Sequence, residues 1–156
     1  MMHRRAFLAG AAVFVAGCST TDIVPSAGDD RTEATLPLVN RLRAGRGLPP
    51  LVADPAARRA ALDQAGRMAG AKKMAHNIGF GADFAKRMKG MGVALPAAEN
   101  IAMGQESAER AYEAWYRSPK HLENMLDPRF RGLGVAAVSG PASGGRPSWA
   151  MVLSGG

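Results

Sequence analysis

The chain has 156 residues, enough for one well-buried domain and too few for two. Apolar residues make up 47% and charged ones 21%, which excludes wholesale disorder, and a single cysteine excludes an intrachain disulfide. The formal charge of +7 favours anionic partners: phospholipid headgroups, acidic envelope polymers or nucleic acid.

His3-Arg4-Arg5 is a positive cap on the apolar run Ala6 to Ala16. About 20 residues are needed to cross a bilayer as a helix, so the run is too short to span and matches the apolar region of a signal peptide. The paired arginines followed by Ala6-Phe7-Leu8 resemble the twin-arginine export signal, with His3 at the position where that signal has Ser or Thr. Val15-Ala16-Gly17-Cys18 reads as a lipobox, in which the Cys18 thiol receives a diacylglyceryl group and the chain is cut before it. Residues 1–17 are therefore expected to be a signal peptide. Several acyl chains on Cys18 would give stable membrane anchoring. Ser19 after the cysteine, by analogy with bacterial sorting rules, favours the outer membrane where there is one. Residues 18–31 hold Ser, Thr, Gly, Pro and Asp with little apolar periodicity, and read as a lipidated flexible tether. The folded domain is expected to be 32–156.

Thr32 to Thr35 open a helix with Leu36, Val39 and Leu42 on one side, stopping at Gly45 or Gly47. Leu48 to Leu51 is an extended connector. Asp54-Pro55 starts a second helix, with Asp as N-cap and Pro at the first helical position, running to about Lys73. Its apolar face is Ala57, Ala61, Leu62, Ala65, Met68 and Ala69, and such small side chains predict close approach to a neighbour. Asn77 to Asp83 is a glycine-rich loop, followed by a short helix carrying Phe84 and Met88. A short extended piece at Ile101 to Met103 follows Glu99-Asn100. Ser107 to Tyr116 is a strong amphipathic helix with Ala108, Ala111, Tyr112 and Trp115 on one stripe, and Pro119 breaks it. Lys120 to Leu126 forms a further turn or short helix. Leu133 to Val138 and Ser148 to Leu153 are β-prone and read as an antiparallel pair.

These residues fall into a familiar order. Asn40-Arg41-Leu42-Arg43, Gly47-Leu48-Pro49-Pro50-Leu51 with Asp54, His76, Glu99-Asn100-Ile101-Ala102, the run Trp115 to Asn124, and the closing strands at Gly132 to Val135 and Ser148 to Val152 together resemble the CAP superfamily of cysteine-rich secretory proteins, antigens and pathogenesis-related proteins. The resemblance implies an α/β fold, a three-layer α-β-α sandwich with a small, mainly antiparallel sheet. It also implies a cleft holding His76, Glu99 and His121, with Asn100 and Ser118 lining it. Many eukaryotic members carry a second cavity glutamate where this chain has Ser118, which reduces the family's tetrad to His76, Glu99 and His121.

Two imidazoles and a carboxylate can serve in three ways. They can ligate a divalent metal such as zinc, act as acid and base, or form a hydrogen-bonded structural network. Ser118 lies near His121, but Pro119 intervenes and there is no Gly-x-Ser-x-Gly elbow for a serine hydrolase. The cations Arg58, Arg59, Arg67, Lys72, Lys73, Lys86, Arg87 and Lys89 read as solvated helix faces, with a surface for an anionic envelope component as the alternative. Export argues against nucleic acid. The expected function is an envelope-anchored, monomeric binding module for a small amphipathic or lipid-like ligand. The rival readings are a metal-assisted hydrolase of peptide or cell-wall substrates and a structural envelope protein with a vestigial cleft.

Overall fold

The computed structural model describes residues 28–141 and 144–155. The expected signal peptide, Cys18 and most of the tether lie outside the described residues. In chain order the elements are β1 (Gly28–Asp30), α1 (Thr32–Ala44), β2 (Val52–Ala53), α2 (Pro55–Ala71), α3 (Phe84–Gly90), β3 (Ala97–Met103), α4 (Ala108–Arg117), α5 (Pro119–Leu126), β4 (Phe130–Val138) and β5 (Ser148–Gly155). No helix among them is long and apolar enough to cross a membrane.

The sheet has the order β1-β4-β5-β3, antiparallel throughout, and β2 pairs parallel to β4 off that path. Alternation along the two central strands divides the core. Leu133, Val135 and Ala137 with Trp149, Met151 and Leu153 face a layer built from α1, α4 and α5, where Val39, Trp115 and Met125 are fully buried. Ala136 and Val138 with Ala150 and Val152 face α2 and α3. The period of two thus places a helical layer on each face, giving the expected three-layer α-β-α sandwich.

Asp54 caps α2 by accepting from the Ala56 amide at 2.8 Å. The alanine face of α2 lies close on the sheet as its small side chains require, with Ala57, Ala60, Ala61 and Ala65 at zero exposure. The ordered fold begins earlier than expected. Gly28 to Asp30, read from sequence as tether, pair with Val138 to Ala136. An open β4 edge offers main-chain partners that need no apolar side chain, so composition gave no sign of this strand.

Two motif residues are structural staples. Asn40 exchanges two hydrogen bonds with the Leu51 main chain, at 2.9 and 2.8 Å. Arg43 is fully buried, and its guanidinium donates to the carbonyls of Pro49, Met125, Asp127 and Phe130. Those four bonds tie the end of α1 to the connector, to the end of α5 and to the start of β4.

Candidate functional site

β3 is an edge strand, and its neighbours Glu99 and Asn100 point to opposite faces of the sheet. Glu99 turns toward the α2 and α3 side, as Ile101 does. Asn100 turns toward the other side, as Ala102 does. The Glu-Asn pair thereby links both helical layers at one edge.

On the first side, Arg87 of α3 donates through Nη2 to Glu99 Oε1 and Oε2 at 3.0 and 2.9 Å. Both side chains are 2% exposed. His76, in the loop after α2, places Nδ1 2.9 Å from Glu99 Oε1. Donation from Nδ1 to the carboxylate leaves Nε2 free on a ring that is half exposed. The backbone beneath His76 is held twice: Gln64 Nε2 donates to the Ala75 carbonyl at 2.7 Å, and Arg87 Nη2 reaches the His76 carbonyl at 3.5 Å. On the second side, Asn100 Nδ2 donates to the His121 carbonyl at 3.0 Å, and Asn124 Nδ2 donates to Asn100 Oδ1 at 2.8 Å. Burial, then the nearby charge of His76, pushes the His121 imidazole below its ordinary value, so His121 is neutral at neutral pH.

His76, Glu99, Asn100 and His121 are therefore gathered at one sheet edge. Ser118 joins α4 to α5 and caps α5 with no side-chain hydrogen bond. Of the three expected metal ligands, His76 and Glu99 share a hydrogen bond, while His121 meets the site through its carbonyl on Asn100. Both Glu99 oxygens are held by Arg87, and among the described residues no group of three or more His, Cys, Asp or Glu is placed to hold an ion. A guanidinium beside the carboxylate also opposes a cation, so the arrangement does not fit a His₂Glu zinc centre. Sequence reading misses Arg87, which it places among the solvated cations. Its position beside Met88 on the face of α3 that is buried, away from the exposed Lys86 and Lys89, is the available signal. An open cleft of about 370 Å³ lies elsewhere, between Gln105 and the outer face of α4 at Arg110, Glu113 and Arg117, and none of the site residues lines it.

A family model described as "CAP: Cysteine-rich secretory protein family" matches residues 36–153. The chain belongs to this family. The chain is also similar to the uncharacterized protein YkwD of Bacillus subtilis (strain 168), with 32% identity over 122 residues. That match covers 77% of this chain and 47% of YkwD, so the chain spans about half the length of that relative. Two solved structures share the CAP fold with a TM-score of 0.70 each. One is an extracellular protein containing a SCP domain from Bacillus anthracis, 23% identical, covering 80% of this chain and 40% of its own. The other is an outer surface protein of Borrelia burgdorferi, 19% identical, covering 83% of this chain and 98% of its own.

Proposed function

We propose that this CAP protein is an exported lipoprotein, held at the cell envelope through a lipid on Cys18, whose domain binds a small amphipathic or lipid-like molecule beside His76. The loop between α2 and α3 carries the binding reading. In sequence the half-exposed His76 falls between Met74 and Phe80, both displayed to solvent. Gly79 and Gly81 flank Phe80 at φ of 84° and 69°, a left-handed turn that glycine adopts without strain and that holds the ring outward. Apolar groups on either side of a polar imidazole suit a ligand with both characters. The Arg87–Glu99–His76 and Asn124–Asn100–His121 chains then serve as a rigid floor. A metal-assisted hydrolase finds less support, because the one acid that would assist is neutralised by Arg87. For zinc the reading narrows to the two imidazoles, with Glu99 orienting His76 through Nδ1.

The ligand reading is tested with cis-parinaric acid, a fluorescent fatty acid, titrated into the full chain. Saturable binding is expected, and Met74→Ser with Phe80→Ser should weaken it about tenfold. Two apolar contacts worth up to about 1.5–3 kcal/mol each exceed the 1.4 kcal/mol of a tenfold change. The thermal midpoint should stay unchanged, since both side chains lie at the surface. No saturable signal, or equal affinity in the variant, removes the reading.

The anchor rests on Val15-Ala16-Gly17-Cys18. The extracellular and outer-surface descriptions of the two structural neighbours support export. Metabolic labelling with a palmitate analogue should mark the wild type and spare Cys18→Ser. Label on the variant, or none on the wild type, contradicts a lipidated cysteine.

A further inference from the structure

We infer that the outer edge of β3 is a docking site for an extended acidic peptide, which would add to the sheet as a further strand between His76 and His121. The inference rests on the main chain and is independent of the amphipathic-ligand reading.

β3 terminates the sheet and pairs with β5 over its whole length without a register shift. Two flanking bonds show which of its residues face β5. Gly104 N donates to the Pro147 carbonyl at 2.8 Å, and Gly155 N donates to the Pro96 carbonyl at 2.7 Å. Hydrogen-bonded pairs alternate along an antiparallel ladder. Ala98, Asn100 and Ala102 therefore turn their main-chain groups toward β5. Ala97, Glu99, Ile101 and Met103 turn theirs outward.

Among the described residues, none of those outward N–H and C=O groups has a hydrogen-bond partner. Glu99 is 7% exposed as a residue and 2% in its side chain, so the exposure it keeps lies on the main chain. Natural sheets normally blunt such an edge with a charge, a proline or a bulge. Here Pro96 stands just before the strand, the Glu99 charge is spent on Arg87, and no bulge interrupts the register. What remains is a short, unpaired template flanked by the two site histidines.

An incoming strand would lie about 4.7–4.9 Å from β3, with side chains alternating between the two faces of the sheet. One set would project toward the side of His76, the other toward the side of His121. Main-chain pairing supplies affinity in this mode and the alternate side chains supply selectivity. The elements bearing His76 and Arg87 also expose Lys72, Lys73, Lys86 and Lys89 against the single acid Asp83. That balance selects acidic side chains.

The probe is an acetylated, amidated heptapeptide of alternating valine and glutamate, added to the full chain and followed by amide hydrogen exchange. In the free chain, the Glu99 and Ile101 amides should exchange faster than those of Asn100 and Ala102. With peptide, Glu99 and Ile101 should slow by about tenfold or more, as newly hydrogen-bonded amides do. The same peptide N-methylated at every residue keeps its side chains but loses its main-chain donors along both edges, and should give no protection. A valine–lysine heptapeptide should bind more weakly. The proposal is overturned if Glu99 and Ile101 are already as protected as Asn100 in the free chain. It is also overturned if the acidic peptide protects other amides or none, or if the N-methylated or lysine peptide performs equally.

Discussion

Replacing Gly134 by alanine should destabilise the domain by about 3 kcal/mol or more, while replacing Gly66 by alanine should stabilise it slightly. Gly134 lies in β4 directly under the first turn of α2. A Cβ there would sit less than 3.0 Å from the Ala57 carbonyl carbon and oxygen and from the Arg58 nitrogen. These are helix backbone atoms, which cannot rotate aside as a side chain can. The helix must therefore lift away from β4 and β5, opening the alanine interface along its length. Overpacking of a core typically costs about 1–3 kcal/mol, and a clash with backbone belongs at the top of that range or beyond it. Gly66 is the internal control. It lies in the same helix, and a methyl group on its Cα would meet nothing within 4 Å. Alanine there should gain about 0.5–1 kcal/mol from reduced chain entropy and better helix propensity. Urea denaturation of both variants checks the pair. Equal and small effects would mean that α2 can slide without cost, and that its alanines do not set the spacing of the layers.

That spacing was legible in the sequence because it rests on local pattern. An alanine-rich helical face opposite a Gly-x-Gly strand has few ways to pack. The start of α2 at Asp54-Pro55, the stripe of α4 ending in Trp115, and the antiparallel β4–β5 pair follow from the same kind of signal. What was not legible depends on partners distant in the chain. β1 and β2 are only three and two residues long and join the sheet through main-chain bonds to β4, which no side-chain periodicity records. β3 is longer than Ile101 to Met103, since Ala97 to Asn100 also pair with β5. Polar Glu99 and Asn100 hid it, because their side chains are satisfied by Arg87, His121 and Asn124 rather than by water. The two buried arginines teach the same lesson. Arg43 and Arg87 sit in segments that look solvated, and only the fold brings four carbonyls to one and a carboxylate to the other. That His76 and Glu99 meet was anticipated through family resemblance. Their roles were not, because nothing in residues 76, 99 and 121 shows that a fourth residue already occupies the acid.

Replacing Arg87 by methionine should cost about 3–5 kcal/mol, the range for breaking a buried ion pair by removing one partner. The loss is not the attraction of the pair alone. Glu99 would stay buried in a strand, with His76 Nδ1 as its one remaining side-chain partner, and its desolvation would no longer be offset. Glu99→Gln should cost less, since an amide is cheaper to bury than an unpaired carboxylate, though it strands a guanidinium whose Nε and Nη1 already lack partners. The double replacement Arg87→Met with Glu99→Leu separates stability from positioning. Removing both charges together leaves apolar groups of similar volume, so most of the stability should return. Denaturation of Arg87→Met, of Glu99→Leu alone and of the double gives the coupling energy directly. A coupling below about 1 kcal/mol would class the pair with surface ion pairs and contradict its burial. If stability returns in the double variant, cis-parinaric acid binding should still be weakened. His76 would then have lost the carboxylate that fixes its ring, and its loop would have lost the guanidinium beneath it. A variant that is both stable and fully competent to bind would show that the ion pair holds the fold and does nothing for His76.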